Sequence, residues 1–237
     1  MSQSNGMRDL DHIHTPSWRI FRIMSEFVEG FSFLAEVQEE KSATFFGSSR
    51  LAQDDPYCQK AYDLARGLCQ KGFTVVTGGG PGIMEAANHG AFDEHGISVG
   101  LNIQLPHEQE TNPYVTQSLT FRYFFSRKVM LDYSADAYIF FPGGFGTLDE
   151  FFELITLVQT KKNDHEPPIV LVGSDFWTPL LQWMRQDMLE TRKTISPEDM
   201  SIWLLSDDIP EIITYIESKQ QHDAAKKKGG TYNSALK

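Results

Sequence analysis

The segment that organises this sequence reads Tyr138-Ile139-Phe140-Phe141-Pro142-Gly143-Gly144-Phe145-Gly146-Thr147-Leu148-Asp149-Glu150. Its apolar beginning predicts a strand that is covered on both faces, and its end predicts the start of a helix. Gly143, Gly144 and Gly146 let the backbone adopt positive φ angles and let a ligand approach closely. Thr147 is placed to cap the helix, with Glu150 in capping-box spacing. The free N–H groups of such a helix suit a phosphate, although an ordinary strand-to-helix turn has the same composition.

A second glycine turn precedes this segment. The apolar run 73–77 predicts a strand, Gly78-Gly79-Gly80-Pro81-Gly82 follows it, and a helical pattern comes next. Two such turns in one sheet converge on one ligand at the carboxyl ends of the strands. Ile83 stands where a dinucleotide fingerprint has its third glycine, and neither turn ends in the Gly-Lys-Ser/Thr of a P-loop. The pattern therefore disfavours NAD and nucleoside triphosphates and favours a monophosphate.

Composition excludes several classes of partner. The 237 residues carry a net charge of −11, with 41% hydrophobic and 22% charged residues. This acidity argues against broad binding to nucleic acid or to anionic membranes. The sequence shows neither a signal peptide nor an apolar run long enough to span a membrane. Cys58 and Cys69, without a CxxC motif, indicate a reducing cytoplasm.

Strand and helix patterns alternate from Ala43 onwards, which predicts an α/β fold with a Rossmann-like, doubly wound, mainly parallel sheet. We divide the chain into a disordered leader (1–16), an N-terminal amphipathic helix (17–41), a single catalytic domain (42–220) and a disordered tail (221–237). The last helix is predicted to end near Lys219. The helix before the domain has an aromatic face with Phe21, Val28 and Phe31, which we expect to dock on the body of the protein or on a second subunit.

Charged residues flank the glycine turns. Arg127 and Lys128 begin a short predicted helix, and Glu150 stands at the mouth of the helix after the second turn. A phosphate cradle, a cation and a carboxylate suit chemistry on a sugar phosphate, such as hydrolysis of an N-glycosidic bond through an oxocarbenium-like state. Glu150 as a simple capping residue and Arg127 as a surface ion-pair residue are the structural alternatives. Ser48, after the first strand, either faces the ligand or caps a turn.

These motifs resemble the "Lonely Guy" family of nucleoside 5′-monophosphate phosphoribohydrolases, whose members are often mislabelled as lysine decarboxylases. The family pattern P-G-G-x-G-T-x-x-E matches Pro142 to Glu150 at every fixed position, and the Arg-Lys pair lies upstream at Arg127-Lys128, as in the family. The resemblance covers roughly residues 43–217. It implies a Rossmann-like fold, at least a homodimer, and release of a free base and ribose 5-phosphate.

The resemblance also implies roles for individual residues. It makes Arg127 and Glu150 the catalytic pair, and it places Glu108 of the polar loop, with Glu110 close by, on the substrate. Its other substrate contacts are Lys128, Gly143, Gly144, Gly146, Thr147 and Thr156. To these we add the first turn and its surroundings: Ser48, Gly79, Gly80, Gly82 and Glu85. Because plant-type members have a small residue in place of Glu85, the base preference stays open.

We therefore predict a metal-independent enzyme without a cofactor that acts on a purine nucleoside 5′-monophosphate, either AMP or an N6-modified AMP such as isopentenyl-AMP. The alternative is a non-catalytic carrier module that binds a nucleotide or cofactor in the same fold. A third interpretation is a regulatory or scaffold protein that acts through the N-terminal helix. Lysine decarboxylation has no support, because nothing in the sequence marks a lysine as the Schiff base of pyridoxal phosphate.

Overall fold

The computed structural model describes residues 16–37, 41–105, 110–161 and 166–229. The strands are β1 (Lys41–Phe46), β2 (Phe73–Thr77), β3 (Ser98–Ile103), β4 (Gln117–Phe121), β5 (Ala137–Phe140), β6 (Ile169–Leu171) and β7 (Trp203–Leu205). The α-helices are α1 (Pro16–Val37), α2 (Pro56–Cys69), α3 (Ile83–Asp93), α4 (Phe124–Tyr133), α5 (Phe145–Gln159), α6 (Ser174–Trp183) and α7 (Ile209–Gly229). A π-helical segment, Met184–Thr191, and a 3₁₀ turn, Glu198–Ser201, follow α6.

All seven strands form one sheet in the order β4-β3-β2-β1-β5-β6-β7. Every neighbouring pair is parallel, so the predicted Rossmann-like α/β fold is confirmed. β1 lies at the centre, where Thr44 is in register with Val76 of β2 and with Tyr138 of β5. The chain order reverses between β1 and β5. In sheets of this kind the crevice at that point, at the carboxyl ends of the strands, binds ligands.

Helices cover both faces of the sheet. Residues of α2, α3 and α7 pack on one face, and residues of α1, α4, α5 and α6 pack on the other. The central strands send alternate side chains to the two faces, because side chains in a strand point to opposite sides in turn. Phe45 and Ile139 thus join the first core, while Phe46 and Phe140 join the second. The near-continuous apolar strands of the sequence reflect this burial on both sides.

The helix after the second glycine turn begins earlier than predicted. Gly144 is the N-cap of α5, and no side chain caps it, so the predicted capping box of Thr147 and Glu150 is wrong. Thr147 is instead buried in the first turn, where an added Cβ on Gly143 would lie 2.1 Å from its Oγ1. The expectation of positive φ angles at Gly143, Gly144 and Gly146 is wrong as well. The glycines with positive φ among the described residues are Gly72, Gly79, Gly82 and Gly173.

The two terminal helices differ from the expectations in separate ways. α1 exists, but Phe21 and Val28 of its aromatic face are exposed, so docking of this part of the face on the body of the protein is wrong. Phe31 does contact the body, with its ring edge-on to Tyr133 of α4 at a centroid distance of 5.1 Å. Docking of the face on a second subunit stays a prediction. α7 runs to Gly229, so residues 221–229 are helical where a disordered tail was predicted. The leader 1–15 and residues 230–237 lie outside the described residues. Within the described ranges, no helix combines the length and apolarity that a membrane span requires.

Candidate active site

A cleft of about 1020 Å³ opens where β1, β2 and β5 end. This volume lies at the upper end of the range of about 300–1,000 Å³ that is usual for small-molecule sites. Its walls come from the turns that follow these strands and from the first turns of α4 and α5. The predicted site residues that line it are Ser48, Gly79, Gly80, Arg127, Lys128, Gly143, Gly144, Gly146, Thr147 and Glu150. The sequence thus placed both charged candidates and both glycine turns in one cavity.

The turn after β1 ties the two glycine turns together. The N–H of Ser48 donates to the carbonyl of Pro142 at 3.0 Å, and the carbonyl of Ser48 accepts from the N–H of Ile83 at 3.1 Å. The Ser48 hydroxyl accepts from the N–H of Arg50 at 3.0 Å, so it caps its own turn while the residue lines the cleft. Ser48, in the loop after the central strand β1, therefore links the second glycine turn to the residue that follows the first.

The first glycine turn has a backbone that only glycine adopts easily. Gly79 has φ +71° and Gly82 has φ +68°. An added Cβ on Gly79 would lie 1.8 Å from Oδ1 of Asn102, and one on Gly82 would lie 2.3 Å from the carbonyl oxygen of Ser48. Gly82 faces this loop and is absent from the described cleft lining. Glu85 also lies outside that lining, and its carboxylate accepts from Nε2 of Gln53 at 3.0 Å.

The second glycine turn is open. A Cβ on Gly144 or on Gly146 would meet no atom within 4 Å, and both residues are exposed on the cleft. The N–H groups of the first helical turn, from Phe145 to Thr147, have no partner within the helix. Together with the positive end of the helix dipole they form a site suited to an anion. Binding of a phosphate at the glycine turns stays a prediction.

Arg127 reaches across the first glycine turn from α4. Its Nε donates to the carbonyl of Leu101 at 2.6 Å, and its Nη2 lies 3.5 Å from the carbonyl of Gly78. Burial lowers the pKa of Arg127, and the nearby Glu150 raises it again in part. An arginine nevertheless keeps its proton at neutral pH. The cleft therefore contains a permanent positive charge that the carbonyls of Leu101 in β3 and Gly78 after β2 hold in place.

Glu150 presents a buried carboxylate to the same cleft. The residue is 7% exposed, and its Oε2 has no hydrogen-bond partner among the described residues. Burial raises the pKa of Glu150 to about 7, although Lys128 and Arg127 lower it, and Glu153 raises it further. A buried, unpartnered carboxylate costs free energy, which is typical of a group kept for chemistry. Such a group exchanges its proton near neutral pH.

Further carboxylates lie close to Glu150: Asp149 also lines the cleft, whereas Asp132 and Glu153 are absent from its described lining. Carboxylate oxygens of Asp132, Glu150 and Glu153 lie within 4.8 Å of one another. Lys128 supplies a positive charge there, with Nζ 2.8 Å from Oδ2 of Asp149 and 2.5 Å from Oε2 of Glu153. Burial raises the pKa of Asp132 to about 8, and repulsion from Glu150 and Glu153 contributes. Two protein carboxylates therefore bind Lys128, and a substrate contact by Lys128 stays a prediction.

Sequence reasoning missed several residues that the fold brings to the cleft. Arg50 and Asn102 line it, and three aromatic side chains form its rim, namely Phe124, Phe145 and Phe176. Phe145 is 93% exposed and occupies the variable position of the glycine motif. Its place between two glycines of that motif could have identified it from the sequence. Phe176 and Asn102 come from distant segments, so only the topology reveals them.

Three further sequence predictions have separate outcomes. Glu110 lines the cleft, whereas Glu108 lies outside the described residues. Thr156 lies outside the cleft lining and donates its hydroxyl proton to the carbonyl of Phe152 at 2.6 Å. A substrate contact by Thr156 stays a prediction.

The chain is similar to known proteins in both sequence and structure. The family model described as "Possible lysine decarboxylase" matches residues 84–216. The cytokinin riboside 5′-monophosphate phosphoribohydrolase LOG of Oryza sativa subsp. japonica is 30% identical over 68% of this chain and 66% of its own. The cytokinin riboside 5′-monophosphate phosphoribohydrolase of Rhodococcoides fascians is 27% identical over 75% of this chain and 90% of its own.

Solved structures share the fold. The molybdenum cofactor carrier protein of Chlamydomonas reinhardtii superposes with a TM-score of 0.57 at 18% identity, covering 77% of this chain and 99% of that chain. The molybdenum cofactor binding protein of Rippkaea orientalis superposes with a TM-score of 0.54 at 20% identity, covering 75% and 94%. Identities this low establish the fold alone. With the family match over residues 84–216 and the sequence relatives, the chain belongs to the Lonely Guy family, whose model is described as "Possible lysine decarboxylase".

Proposed function

We propose that this protein hydrolyses the N-glycosidic bond of a purine nucleoside 5′-monophosphate and releases the free base and ribose 5-phosphate. The observation that carries the proposal is the buried carboxylate of Glu150, which shares one cleft with Arg127 and with an open helix N-terminus. The sequence relatives named above as phosphoribohydrolases support the same reaction class.

In this reaction the 5′-phosphate binds at the second glycine turn. The first N–H groups of α5 donate to it, and the glycines leave room for its oxygens. The exposed Arg50, which lines the cleft, supplies a further cation within reach of an anionic group. A monophosphate fits this arrangement better than a triphosphate, because neither glycine turn has the lysine of a P-loop.

Glu150 acts on the ribose. As the C1′–N bond lengthens, the sugar gains positive charge, and the carboxylate stabilises that charge in a site of low dielectric constant. The same group orients a water molecule whose oxygen bonds to C1′. The bonding pair of the broken C1′–N bond leaves with the base, and the proton lost by the water is ultimately taken up by that base. A pKa of about 7 suits a group that accepts and returns a proton near neutral pH.

Arg127 completes the pair. Its guanidinium either holds the phosphate or neutralises negative charge on the departing base, and both roles use a cation that is already fixed in place. The bond from its Nε to the carbonyl of Leu101 supports preorganisation, because the side chain does not need to be ordered when substrate binds.

The aromatic rim favours a purine. Phe124, Phe145 and Phe176 line the cleft, and aromatic faces stack on nucleobases. An N6 substituent such as an isopentenyl group gains contact with the same apolar surface. AMP and N6-modified AMP are therefore the substrates that we propose to test first.

Lysine decarboxylation does not fit this cleft. Lys128 is the one lysine among the described residues that line the cleft. Burial alone would lower its pKa, but hydrogen bonds to Asp149 and Glu153 outweigh burial and raise it. A lysine that forms a Schiff base needs a lowered pKa, so that a neutral amine can attack a carbonyl.

A carrier module is the second candidate. Structural similarity to molybdenum cofactor carrier proteins favours it, and a cleft of about 1020 Å³ has room for such a ligand. Under this alternative the glycine turns bind a phosphate without chemistry. A buried, unpartnered carboxylate would then serve no purpose and would repel the anion, which is why we prefer the hydrolase.

We also propose that the protein forms a homodimer in the reducing cytoplasm. The apolar side chains of Phe21, Met24 and Val28 on α1 and of Phe125 and Val129 on α4 are exposed on a single chain. Exposed apolar surface of this kind marks association sites. Sedimentation equilibrium of the purified protein measures this state directly.

The decisive experiment incubates the purified protein with nucleoside monophosphates, their nucleosides and triphosphates, and N6-isopentenyl-AMP. Mass spectrometry then measures free base and ribose 5-phosphate. We expect base release from monophosphates alone, since the phosphate is needed to place C1′ beside Glu150. Absence of release from every compound, with monophosphate binding still seen by calorimetry, would favour the carrier.

A further inference from the structure

Helix α1 lies outside the glycine-turn motifs, yet it packs directly on the helix that carries Arg127. Gly30 of α1 is buried against α4, where an added Cβ would lie 2.6 Å from Sδ of Met130. Both helices contribute to the same core, Leu34 and Val37 from α1 and Met130 and Leu131 from α4. The absence of a side chain at Gly30 lets the two helices approach closely.

A buried carboxylate on α1 reaches the start of α4. Glu26 is 8% exposed, although it belongs to a helix whose other described acidic residues, Glu29 and Glu36, are exposed. Its Oε1 accepts from the N–H of Arg122 at 2.8 Å, and its Oε2 accepts from the N–H of Tyr123 at 3.3 Å. Oε2 also accepts a hydrogen bond from the buried hydroxyl of Ser126.

These bonds fix the chain where it turns from β4 into α4. Tyr123 is the N-cap of α4 and has no side-chain cap of its own. The carboxylate of Glu26 binds the N–H groups of Arg122 and Tyr123, just before the first turn of α4, and the hydroxyl of Ser126 within that turn. Its negative charge lies near the positive end of the α4 dipole. A buried charge of this kind is stabilised only by the donors that surround it, so the turn and the carboxylate hold each other in place.

The turn held by Glu26 leads within one helical turn to Arg127, the fourth residue of α4. The N–H of Arg127 donates to the carbonyl of Tyr123 at 3.2 Å, so its backbone is bonded to the residue that Glu26 fixes. A shift of the turn would therefore move the guanidinium relative to Gly78 and Glu150. Misplacement by about 1 Å is enough to cost about a hundredfold in rate.

We propose that Glu26 is a positioning residue for Arg127, and that α1 is thereby part of the catalytic apparatus. This proposal deepens the function proposed above and rests on it. Glu26 itself does not line the cleft and touches no reacting atom. It acts by fixing the start of α4, and so its loss should be felt in the catalytic step.

The test uses the full-length protein and three variants. Glu26→Gln keeps the shape and removes the charge, and it turns an amide N–H₂ towards the donors of the β4–α4 turn. Ser126→Ala removes one of the three donors and is the milder change. Glu29→Gln is the matched control, because Glu29 lies on the exposed side of the same helix and accepts a hydrogen bond from Ser25 at 2.8 Å.

For release of base from the best monophosphate, we expect Glu26→Gln to lower kcat about tenfold to a hundredfold, with a change in KM of less than about threefold. Ser126→Ala should lower kcat by a smaller factor, and Glu29→Gln should match the wild type. Circular dichroism at the assay temperature verifies that each variant is folded. Wild-type kcat in folded Glu26→Gln would overturn the proposal, and if that variant does not fold, wild-type kcat in Ser126→Ala would do so.

A double-mutant cycle with Arg127→Ala separates positioning from general stability. If Glu26 acts through Arg127, then adding Glu26→Gln to Arg127→Ala should change kcat by less than about twofold. A full, additive loss in that background would show that Glu26 acts elsewhere and would overturn the proposal.

Amide hydrogen exchange provides a readout that does not need activity. In Glu26→Gln, the amides of residues 122–127 should exchange faster than in the wild type and in Glu29→Gln. Unchanged exchange there would overturn the proposal even if kcat had fallen. If the wild-type protein releases no base at all, the proposed function fails, and hydrogen exchange alone decides whether Glu26 fixes the start of α4.

Discussion

The first glycine turn, 78–82, follows β2, and the second, 142–146, follows β5, so the two lie on either side of the central strand β1. In the first turn, Gly79 and Gly82 have positive φ angles and an added Cβ would collide with neighbouring atoms. In the second turn, Gly144 and Gly146 have no positive φ and face open space. The backbone conformation and close neighbours thus require glycine in the first turn, whereas glycine leaves open space for a ligand in the second.

Each turn is also paired with one of the two charged residues proposed for catalysis. Arg127 lies over the first turn, where a Cβ on Gly78 would be 2.1 Å from its Nη2. Glu150 lies on the helix that begins at the second turn, with its oxygen unpartnered among the described residues. The first turn therefore holds a cation in place, and the second is open to substrate. Glycine substitutions should mainly affect stability in the first turn and substrate binding in the second.

The largest effect is expected at Glu150, on the side of the second turn. Glu150→Gln should lower kcat about a thousandfold, about 4 kcal/mol of transition-state stabilisation, because a neutral amide neither stabilises the sugar cation nor accepts a proton. Binding of the monophosphate, measured by calorimetry, should stay within about threefold of the wild type, since phosphate contacts are intact.

Glu153→Gln is the matched control for that substitution, because Glu153 lies one turn further along α5 and outside the cleft lining. It should retain kcat within about tenfold of the wild type. A Glu150→Gln protein that loses binding together with turnover would make Glu150 a binding residue.

The next effect concerns stability and belongs to the first turn. Gly82→Ala should lower the free energy of unfolding by about 2–4 kcal/mol, because alanine is strained at φ +68° and its Cβ would meet the carbonyl oxygen of Ser48. Gly72→Ala is the matched control, with φ +79° and no atom near the added Cβ, and should cost only about 1 kcal/mol. Urea denaturation measures both. Equal losses would mean that the collision with Ser48 is relieved by a small shift.

A smaller effect of opposite character is expected in the second turn. Gly146→Ala should leave stability unchanged or raise it by about 0.5–1 kcal/mol, because Gly146 is helical and alanine favours a helix. Its methyl group would nevertheless occupy space over the amides that receive the phosphate. We expect KM for the monophosphate to rise about tenfold while kcat changes little. A loss of stability with unchanged KM would contradict the assignment of this glycine to the ligand.

Local sequence patterns predicted most of the fold. The strands, the parallel sheet and the glycine turns all follow from residues that are close together in the sequence. Capping was mispredicted at Thr147, because α5 begins at Phe145 and Thr147 is therefore the third residue inside the helix. The face of α1 that docks was mispredicted in part, because Phe21 and Val28 are exposed while Phe31 contacts Tyr133. An aromatic stripe is more conspicuous than a stripe with Glu26 and Gly30, yet the helix buries the latter.

Tertiary placement explains what the sequence left hidden. Asp132 and Glu26 are ordinary acidic residues in their local context. Only the fold brings the carboxylate of Asp132 close to Glu150 and that of Glu26 to the start of α4. The same holds for Asn102, whose side chain lies where a Cβ on Gly79 would be. Residues that act through contacts between distant segments need the fold before they can be recognised.

The smallest expected effect concerns the carboxylate cluster near the second turn. The first turn has no such cluster in the described part of the chain. Burial and the neighbouring carboxylates raise the pKa of Asp132 to about 8, and burial raises that of Glu150 to about 7. Hydrolysis that needs the Glu150 carboxylate should therefore increase as the pH rises through about 7. Asp132 has the higher pKa and is mostly protonated at that pH, so Asp132→Asn should leave the rise in kcat within about half a pH unit of its wild-type position.

The same substitution has a stability consequence with a definite sign. A carboxyl group whose pKa is raised in the folded state stabilises the protein below its ordinary pKa, and that contribution is lost as the pH rises through the raised value, about 8 for Asp132. Asparagine resembles the protonated acid and does not ionise. Asp132→Asn should thus increase the free energy of unfolding at pH 9 by about 1–3 kcal/mol and change it little at pH 4. Urea titrations at the two pH values measure this change in the free energy of unfolding. Equal changes at both pH values would show that ionisation of Asp132 does not destabilise the folded state.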